Sequence, residues 1–379
     1  MIKKPVKFIQ NKLNNDLNIE LKNYLLRLFI LFIILTALSS GAAADIGGKA
    51  SLISNLSYFD SEIDNELAAE LELQYYLPYD FPVNIQNRAV LSLDERKKDK
   101  AEIWFKKLYL KQEIGALTAN IGRQPVSWSY GALINPVDYS LGAENLEEES
   151  RAKFVDGIEL YYPINWGSGL SFTASNLENQ KEHKWAFRGR TTLNSYDLAL
   201  SYVNTPVKSS DSDFERYGFT AKGDLGPVGF YGAYGLWQNE SIDYDIYQLG
   251  TDYSIHFLAG SNLYLQGEYL RLEGIEEELS SFNFLNLSAA EAKEEFKTDS
   301  RNLDFINTSI SYDLDEFTTV GLMTVSYLDD GSTIFIPQFS YLFGSNLLLE
   351  IRGSTALGSE NDIFGGDTKA LELNLSYTF

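Results

Sequence analysis

Residues 66–77 read Glu66-Leu67-Ala68-Ala69-Glu70-Leu71-Glu72-Leu73-Gln74-Tyr75-Tyr76-Leu77. In an extended chain Leu67, Ala69, Leu71, Leu73, Tyr75 and Leu77 share one face and Glu70, Glu72, Gln74 and Tyr76 the other, because successive strand side chains point to opposite sides. The segment predicts a strand with one apolar and one wet side. The last residues repeat the pattern, with Leu371, Leu373, Leu375, Tyr377 and Phe379 alternating with Glu372, Asn374, Ser376 and Thr378. From Asp45 to Phe379 such segments recur, separated by Gly, Asn, Asp and Pro. Counting back from Phe379 gives about eighteen, an even number, with about sixteen as the alternative.

In a soluble sandwich the apolar faces would meet in a core, and in a membrane barrel they would face lipid. The opposite faces are too polar for a second core layer: Asn84, Gln86, Arg88 and Ser92 on one strand, Lys184, Arg188 and Arg190 on another. Tyr58, Tyr75, Tyr109, Tyr202, Tyr253, Tyr327 and Tyr377 stand near strand ends, as expected for girdles at two lipid interfaces. No segment after residue 44 has 18 consecutive apolar residues, so membrane residence requires a closed barrel. The expectation is an all-β, transmembrane, antiparallel up-and-down barrel over residues 45–379. Its two longest connections, near 125–151 and 274–301, fall on one rim, the external one if the chain ends lie in the periplasm.

The first 44 residues have another character. Lys3, Lys4, Lys7, Lys12, Lys22 and Arg27 precede the apolar run Leu28–Leu38, and Ala42 and Ala44 follow it. This is the pattern of a signal peptide cleaved after Ala44, the alternative being a retained membrane anchor. Export and a barrel together place the chain in a bacterial outer membrane, in contact with its lipid. The terminal aromatic strand ending in Phe379 resembles the signal read by the barrel-assembly machinery.

Composition removes several function classes. Among 379 residues there is no Cys and only two His, and 31 Lys+Arg against 53 Asp+Glu leave a net charge of -22. Thiolate metal sites and disulfides are excluded. Without surplus cations to displace phosphate counterions, nucleic acid is not an expected partner. His183 and His256 lack a Gly-x-Ser-x-Gly companion, so no catalytic residue is assigned. No EF-hand spacing occurs, and neither a metal nor a cofactor is expected.

A barrel of this size leaves an aqueous channel. The polar faces supply Arg88, Lys107, Lys111, Lys184, Arg188, Arg190, Arg216, Lys222 and Arg352 as pore-lining cations, against Glu70, Glu72, Glu159, Asp252, Glu268, Glu350 and Glu372. The cations concentrate on the third to tenth strands, while much of the acid excess sits in connections, including Glu147, Glu148 and Glu149. A cationic stripe would favour small anionic solutes, whereas paired alternating charges would merely solvate the wall. Ser288 with Glu291 and the Ala, Glu and Lys after them predict a short helix over 287–297.

The stretch Gly122-Arg123-Gln124-Pro125-Val126-Ser127-Trp128-Ser129-Tyr130-Gly131-Ala132-Leu133-Ile134-Asn135-Pro136-Val137-Asp138 opens the first long connection, and its Gly, Pro and Asn-Pro punctuation predicts a structured loop. With the hairpin rhythm and terminal Phe379, it resembles porin-like outer-membrane barrels related to alginate-export channels, although Ser129 stands where Gly usually follows Trp128. In such barrels long loops often fold into the pore, which implies a constriction shaped by Arg123, Gln124, Trp128, Asn135 and Asp138. Arg123 then either offers its planar fork to a carboxylate or phosphate or pairs with an acidic neighbour such as Asp138. Two functions follow as expectations. One is a channel for small hydrophilic solutes; the other is an occluded structural or adhesion barrel whose acidic loops bind partners.

Overall fold

The computed structural model describes residues 46–379 apart from 60–61, 77–83, 95–100, 129–132, 134–135, 140–153, 177–182, 207–212, 239–242, 258–259, 275–301, 360–361 and 365–368. The leader expected over 1–44, the helix expected over 287–297 and Asn135 lie outside the described residues. Eighteen strands run in chain order. The first nine are β1 (Ile46–Phe59), β2 (Glu62–Tyr75), β3 (Asn84–Asp94), β4 (Ala101–Ile114), β5 (Leu117–Pro125), β6 (Phe154–Pro163), β7 (Ser168–Asn176), β8 (His183–Leu193) and β9 (Tyr196–Thr205). The rest are β10 (Phe214–Leu225), β11 (Val228–Gln238), β12 (Asp243–His256), β13 (Asn262–Glu273), β14 (Asn302–Asp313), β15 (Thr318–Tyr327), β16 (Thr333–Phe343), β17 (Leu347–Leu357) and β18 (Lys369–Thr378).

Each strand pairs antiparallel with its sequence neighbours, and β1 pairs with β18 from Lys49↔Thr378 to Tyr58↔Lys369. The sheet therefore closes with no free edge, as a barrel in lipid requires. The count is eighteen, not sixteen. Among the described residues no helix is long and apolar enough to cross a membrane; the strands make the crossing.

Turn chemistry sets the register at the rim that carries the chain end. Ile114↔Leu117, Leu193↔Tyr196 and Leu225↔Val228 close two-residue hairpins. The first turn residue of each, Gly115, Asn194 or Gly226, has φ between 57° and 64°, the left-handed region that tight hairpins require. The opposite rim carries the long connections, including 126–153 and 274–301.

Alternation divides the two faces. On β8, Trp185 and Phe187 alternate with Lys184, Ala186 and Arg188, and cross-strand partners keep the division: Phe187 faces Phe172 and Tyr202. Outward residues such as Ile103, Leu200 and Leu249 are 61–74% exposed, as lipid contact demands. Tyr202 and Tyr217 belong to this belt, with rings 4.9 Å apart. Two of the expected girdle tyrosines do not. Tyr109 lies opposite Gly122 on the face of Lys107 and Lys111, and Tyr327 is buried on the inner wall, since strand-end position alone does not say which face a ring takes.

Candidate functional site

The inner wall is uneven. On β3–β5, Arg88 lies opposite Lys107, and Lys111 between Asn84 and Asn120. The β3–β4 register shifts at Arg88/Ala89, because Lys106 is an extra residue on β4. Such a bulge resets the alternation phase and brings Lys106 to the same side as Lys107. Glu72 then faces two cations: it accepts from Lys106 Nζ at 2.7 Å and forms an ion pair with Arg88, whose Nε lies 3.0 Å away. Arg190 stacks its guanidinium 5.3 Å from the Tyr161 ring and donates to its hydroxyl at 3.1 Å. Lys111, Arg190 and Lys222 are exposed, which on the inner face means facing the bore.

The loop following β5 turns inward and crosses this wall. Asp138, 2% exposed, folds it locally by accepting Trp128 N at 2.7 Å and Ser127 Oγ at 3.2 Å. Four strands then hold it. On β10, Arg216 donates to Asp138 O at 2.7 Å and Tyr139 O at 3.3 Å. From β8, Lys184 Nζ donates to the Tyr139 carbonyl and sits 4.3 Å from the Tyr139 ring. On β11, Trp237 Nε1 donates to Pro136 O at 2.8 Å, and on β13 Glu268 accepts Leu133 N at 2.6 Å. Glycines make room: a Cβ on Gly218 would stand 2.0 Å from Val137 Cγ1, and one on Gly235 2.7 Å from Pro136 Cβ. Trp128 packs with Val126, Tyr139, Ala186 and Val203, and Arg188 lies 5.5 Å from its ring.

Tyr139 is fully buried, with its hydroxyl 2.6 Å from Ser175 Oγ. Burial pushes its phenol up to about 12, against the Ser175 bond and the Arg216 charge, which pull it down. It stays neutral at physiological pH.

The cations expected from the sequence thus occupy different surroundings. Arg88, Lys107, Lys111, Arg188, Arg190 and Lys222 stand on the inner face of β3–β10. Lys184 and Arg216 share that face but lie beneath the loop, which they hold. Arg352 stands apart on β17, between Gln338 and Glu372 in register, beside a recess of about 290 Å³ that also takes in Glu350 and Ser340. Of the expected loop residues, Trp128 and Asp138 meet inside the barrel. Gln124 is buried, donating to Asn120 O at 3.3 Å. Arg123 does not pair with Asp138, whose carboxylate is taken by backbone and Ser127. Its partner is Asp156, at 2.8 Å, directly opposite it on β6.

Sequence reading missed the apolar stretch of inner wall. On β11–β16, Trp237, Tyr244, Ile246, Leu270, Phe305, Val325 and Ile334 point inward and form one buried cluster with Leu133 and Phe364 from two loops. The signal was present on β13, where Leu263 and Leu265 occupy one face and Leu270 and Leu272 the other.

No protein-family model matches the chain, and no curated protein matches it in sequence. Solved structures do resemble it in fold. Pseudomonas aeruginosa OccD3 (OpdP) superposes with a TM-score of 0.57 at 11% identity, over 90% of this chain and 93% of that one. Pseudomonas aeruginosa OccK5 (OpdH) gives 0.58 at 14% identity, over 88% and 98%. Acinetobacter baumannii OccAB1 gives 0.56 at 9% identity, over 90% and 98%. The shared fold is the eighteen-stranded barrel of bacterial outer-membrane porins, and the chain's localisation is the outer membrane.

Proposed function

We propose that this chain is a channel that lets small hydrophilic solutes cross the outer membrane, with a preference for anions set by the cations on β3–β10. One observation carries the reading. Lys111, Arg190 and Lys222 are charged, inward-facing and exposed, and a filled barrel would have to pair and bury them. The inward loop narrows the bore, with Trp128 and Asp138 at its fold and Arg188 over the Trp128 ring. A leader over 1–44 would export the chain, and the strand ending in Phe379 would hand it to the barrel-assembly machinery. Kinship with alginate-export channels rests on Gly122–Asp138, the hairpin rhythm and the terminal Phe379, and names no substrate.

The second reading, an occluded barrel, is favoured by the apolar cluster closing part of the inner wall. The test is a planar bilayer under a salt gradient. The channel reading expects steady conductance steps and a reversal potential on the anion side, weakened in Arg190→Ala. A cation-side reversal would leave a channel without the anion preference. Absence of conductance from demonstrably inserted protein would favour the occluded barrel.

A further inference from the structure

We propose that the recess around Arg352 is a binding site for a small zwitterion, a solute that carries a carboxylate and an ammonium on one short framework. For passage through the barrel the inference rests on the channel reading; for binding it rests on the recess alone.

Two neighbouring rungs of the ladder build the site. One runs through Ser311, Gly321, Gln338, Arg352 and Glu372 across β14–β18, each residue directly opposite the next. The other runs through Thr319, Ser340, Glu350 and Asn374 across β15–β18. Both rungs point inward, because alternate residues of a strand share a face. Gly321 stands inside the first rung without a left-handed φ, so its backbone does not demand glycine. The side chain it lacks leaves a hollow of about 290 Å³. That is the lower end of the range for ligand pockets, about 300–1,000 Å³, and it suits a small solute.

The hollow is lined by one cation, Arg352, and two carboxylates, Glu350 and Glu372, all partly buried. Glu372 lies directly across from Arg352, and Glu350 stands two residues along the same strand, about 7 Å away by strand rise. Even so, among the described residues Arg352 forms no ion pair and no side-chain hydrogen bond. Glu350 accepts Asn374 Nδ2 at 3.0 Å through Oε2, and its Oε1 receives no hydrogen bond among the described residues. A planar guanidinium fork and a carboxylate oxygen thus line the same hollow, held apart.

Opposite charges separated on one wall select by repulsion as well as by attraction. A plain anion on the fork meets two carboxylates. A plain cation on the carboxylates meets the fork. A molecule with both groups avoids either clash: its carboxylate takes the Arg352 fork in bidentate fashion, and its ammonium turns to Glu350. The hydroxyls of Ser311 and Ser340 and the amide of Gln338, which also line the hollow, are left for a polar remainder.

L-Alanine is the probe. Propionate, which lacks the ammonium, and isopropylamine, in which a methyl group replaces the carboxylate, are its matched controls. Binding to the full-length barrel in detergent is followed by saturation-transfer NMR, folding being checked by the heat-dependent shift in gel mobility. Alanine should bind at least about tenfold more tightly than either control, the worth of one charge-assisted contact, and Arg352→Gln should remove its advantage over isopropylamine. Gly321→Leu, which fills the hollow and leaves every charge in place, should weaken alanine binding by a similar factor. Propionate binding as tightly as alanine, or alanine binding unchanged in a folded Arg352→Gln or Gly321→Leu barrel, overturns the proposal. If Arg352→Gln does not fold, Glu350→Gln takes its place, and an undiminished preference for alanine over propionate there overturns it equally. Silent bilayers with the expected binding would overturn the channel reading and uphold the site; steady conductance without alanine binding would overturn the site and leave the channel.

Discussion

Arg216 Nη1 donates to the backbone carbonyl of Asp138 across 2.7 Å and 78 residues of chain. The guanidinium is 2% exposed and also reaches the Tyr139 carbonyl. Two carbonyls at the same bend of the loop thus receive one planar fork, a geometry that an ammonium cannot reproduce. A cation placed on a pore wall is here spent on shaping the pore.

Replacing it should loosen the loop while leaving the barrel closed. Arg216→Met removes charged hydrogen bonds worth roughly 1.5–3 kcal/mol each before compensation, and Arg216→Lys should recover only part. The expected outcome is a lower temperature for the heat-dependent mobility shift and noisier conductance, with an unchanged strand signal in far-ultraviolet dichroism.

Gly218 tests the same seat from the other side. Because an added methyl would lie 2.0 Å from Val137 Cγ1, Gly218→Ala cannot keep the loop in place. Overpacking of this kind costs about 1–3 kcal/mol, and here the loop yields before the ladder does. Unit conductance should change in Gly218→Ala. It should stay near the parent value in Gly226→Ala, where a Cβ meets no neighbour, although the left-handed φ there costs some stability.

Tyr139 gives the loop an alkaline limit. With its pKa raised to about 12, chiefly by burial, the folded loop keeps a proton that the unfolded chain loses near pH 10. The stabilisation from this residue is therefore complete below about pH 10 and declines as pH rises toward 12. The difference between the phenolate absorbance titrations of the parent and of Tyr139→Phe should be one proton lost at about pH 12. A difference centred near pH 10, the ordinary phenol value, would mean that the Tyr139 hydroxyl is not held in a buried site.

The barrel was legible because lipid and water impose one rule on every strand: apolar out, polar in. Residues 69–75 and 371–378 obey it throughout, and eighteen strands close the sheet. The site was legible where the rule held, as at Arg88, Lys111 and Arg190. It failed at two kinds of place. At Lys106 the bulge changes the phase of alternation without any change in composition. Near the loop rim of β11–β16 the inner face is apolar where loops cover it, and a contact between Leu133 and residues more than a hundred positions later leaves no local periodicity. Arg123 does pair with an acidic residue, one of its two expected roles, but the partner is Asp156 and not Asp138, because Asp156 is adjacent only once β5 and β6 are in register.

Glu72 offers a test of whether the wall's charge sets which ions pass. It is 8% exposed and shared by Arg88 and Lys106, so its carboxylate cancels part of the positive field of β3–β4. Glu72→Gln removes that cancellation and leaves two cations facing the bore with one neutral acceptor. Losing one member of a largely buried ion pair costs up to about 3–5 kcal/mol, less here because Arg88 is 23% exposed at its side chain and water can take over. If β3–β5 carry the solute path, the reversal potential should move further to the anion side while the folded band persists. A Glu72→Gln barrel that folds, conducts and keeps the parent's reversal potential would mean that permeating ions do not feel this wall, and the path would then have to run elsewhere.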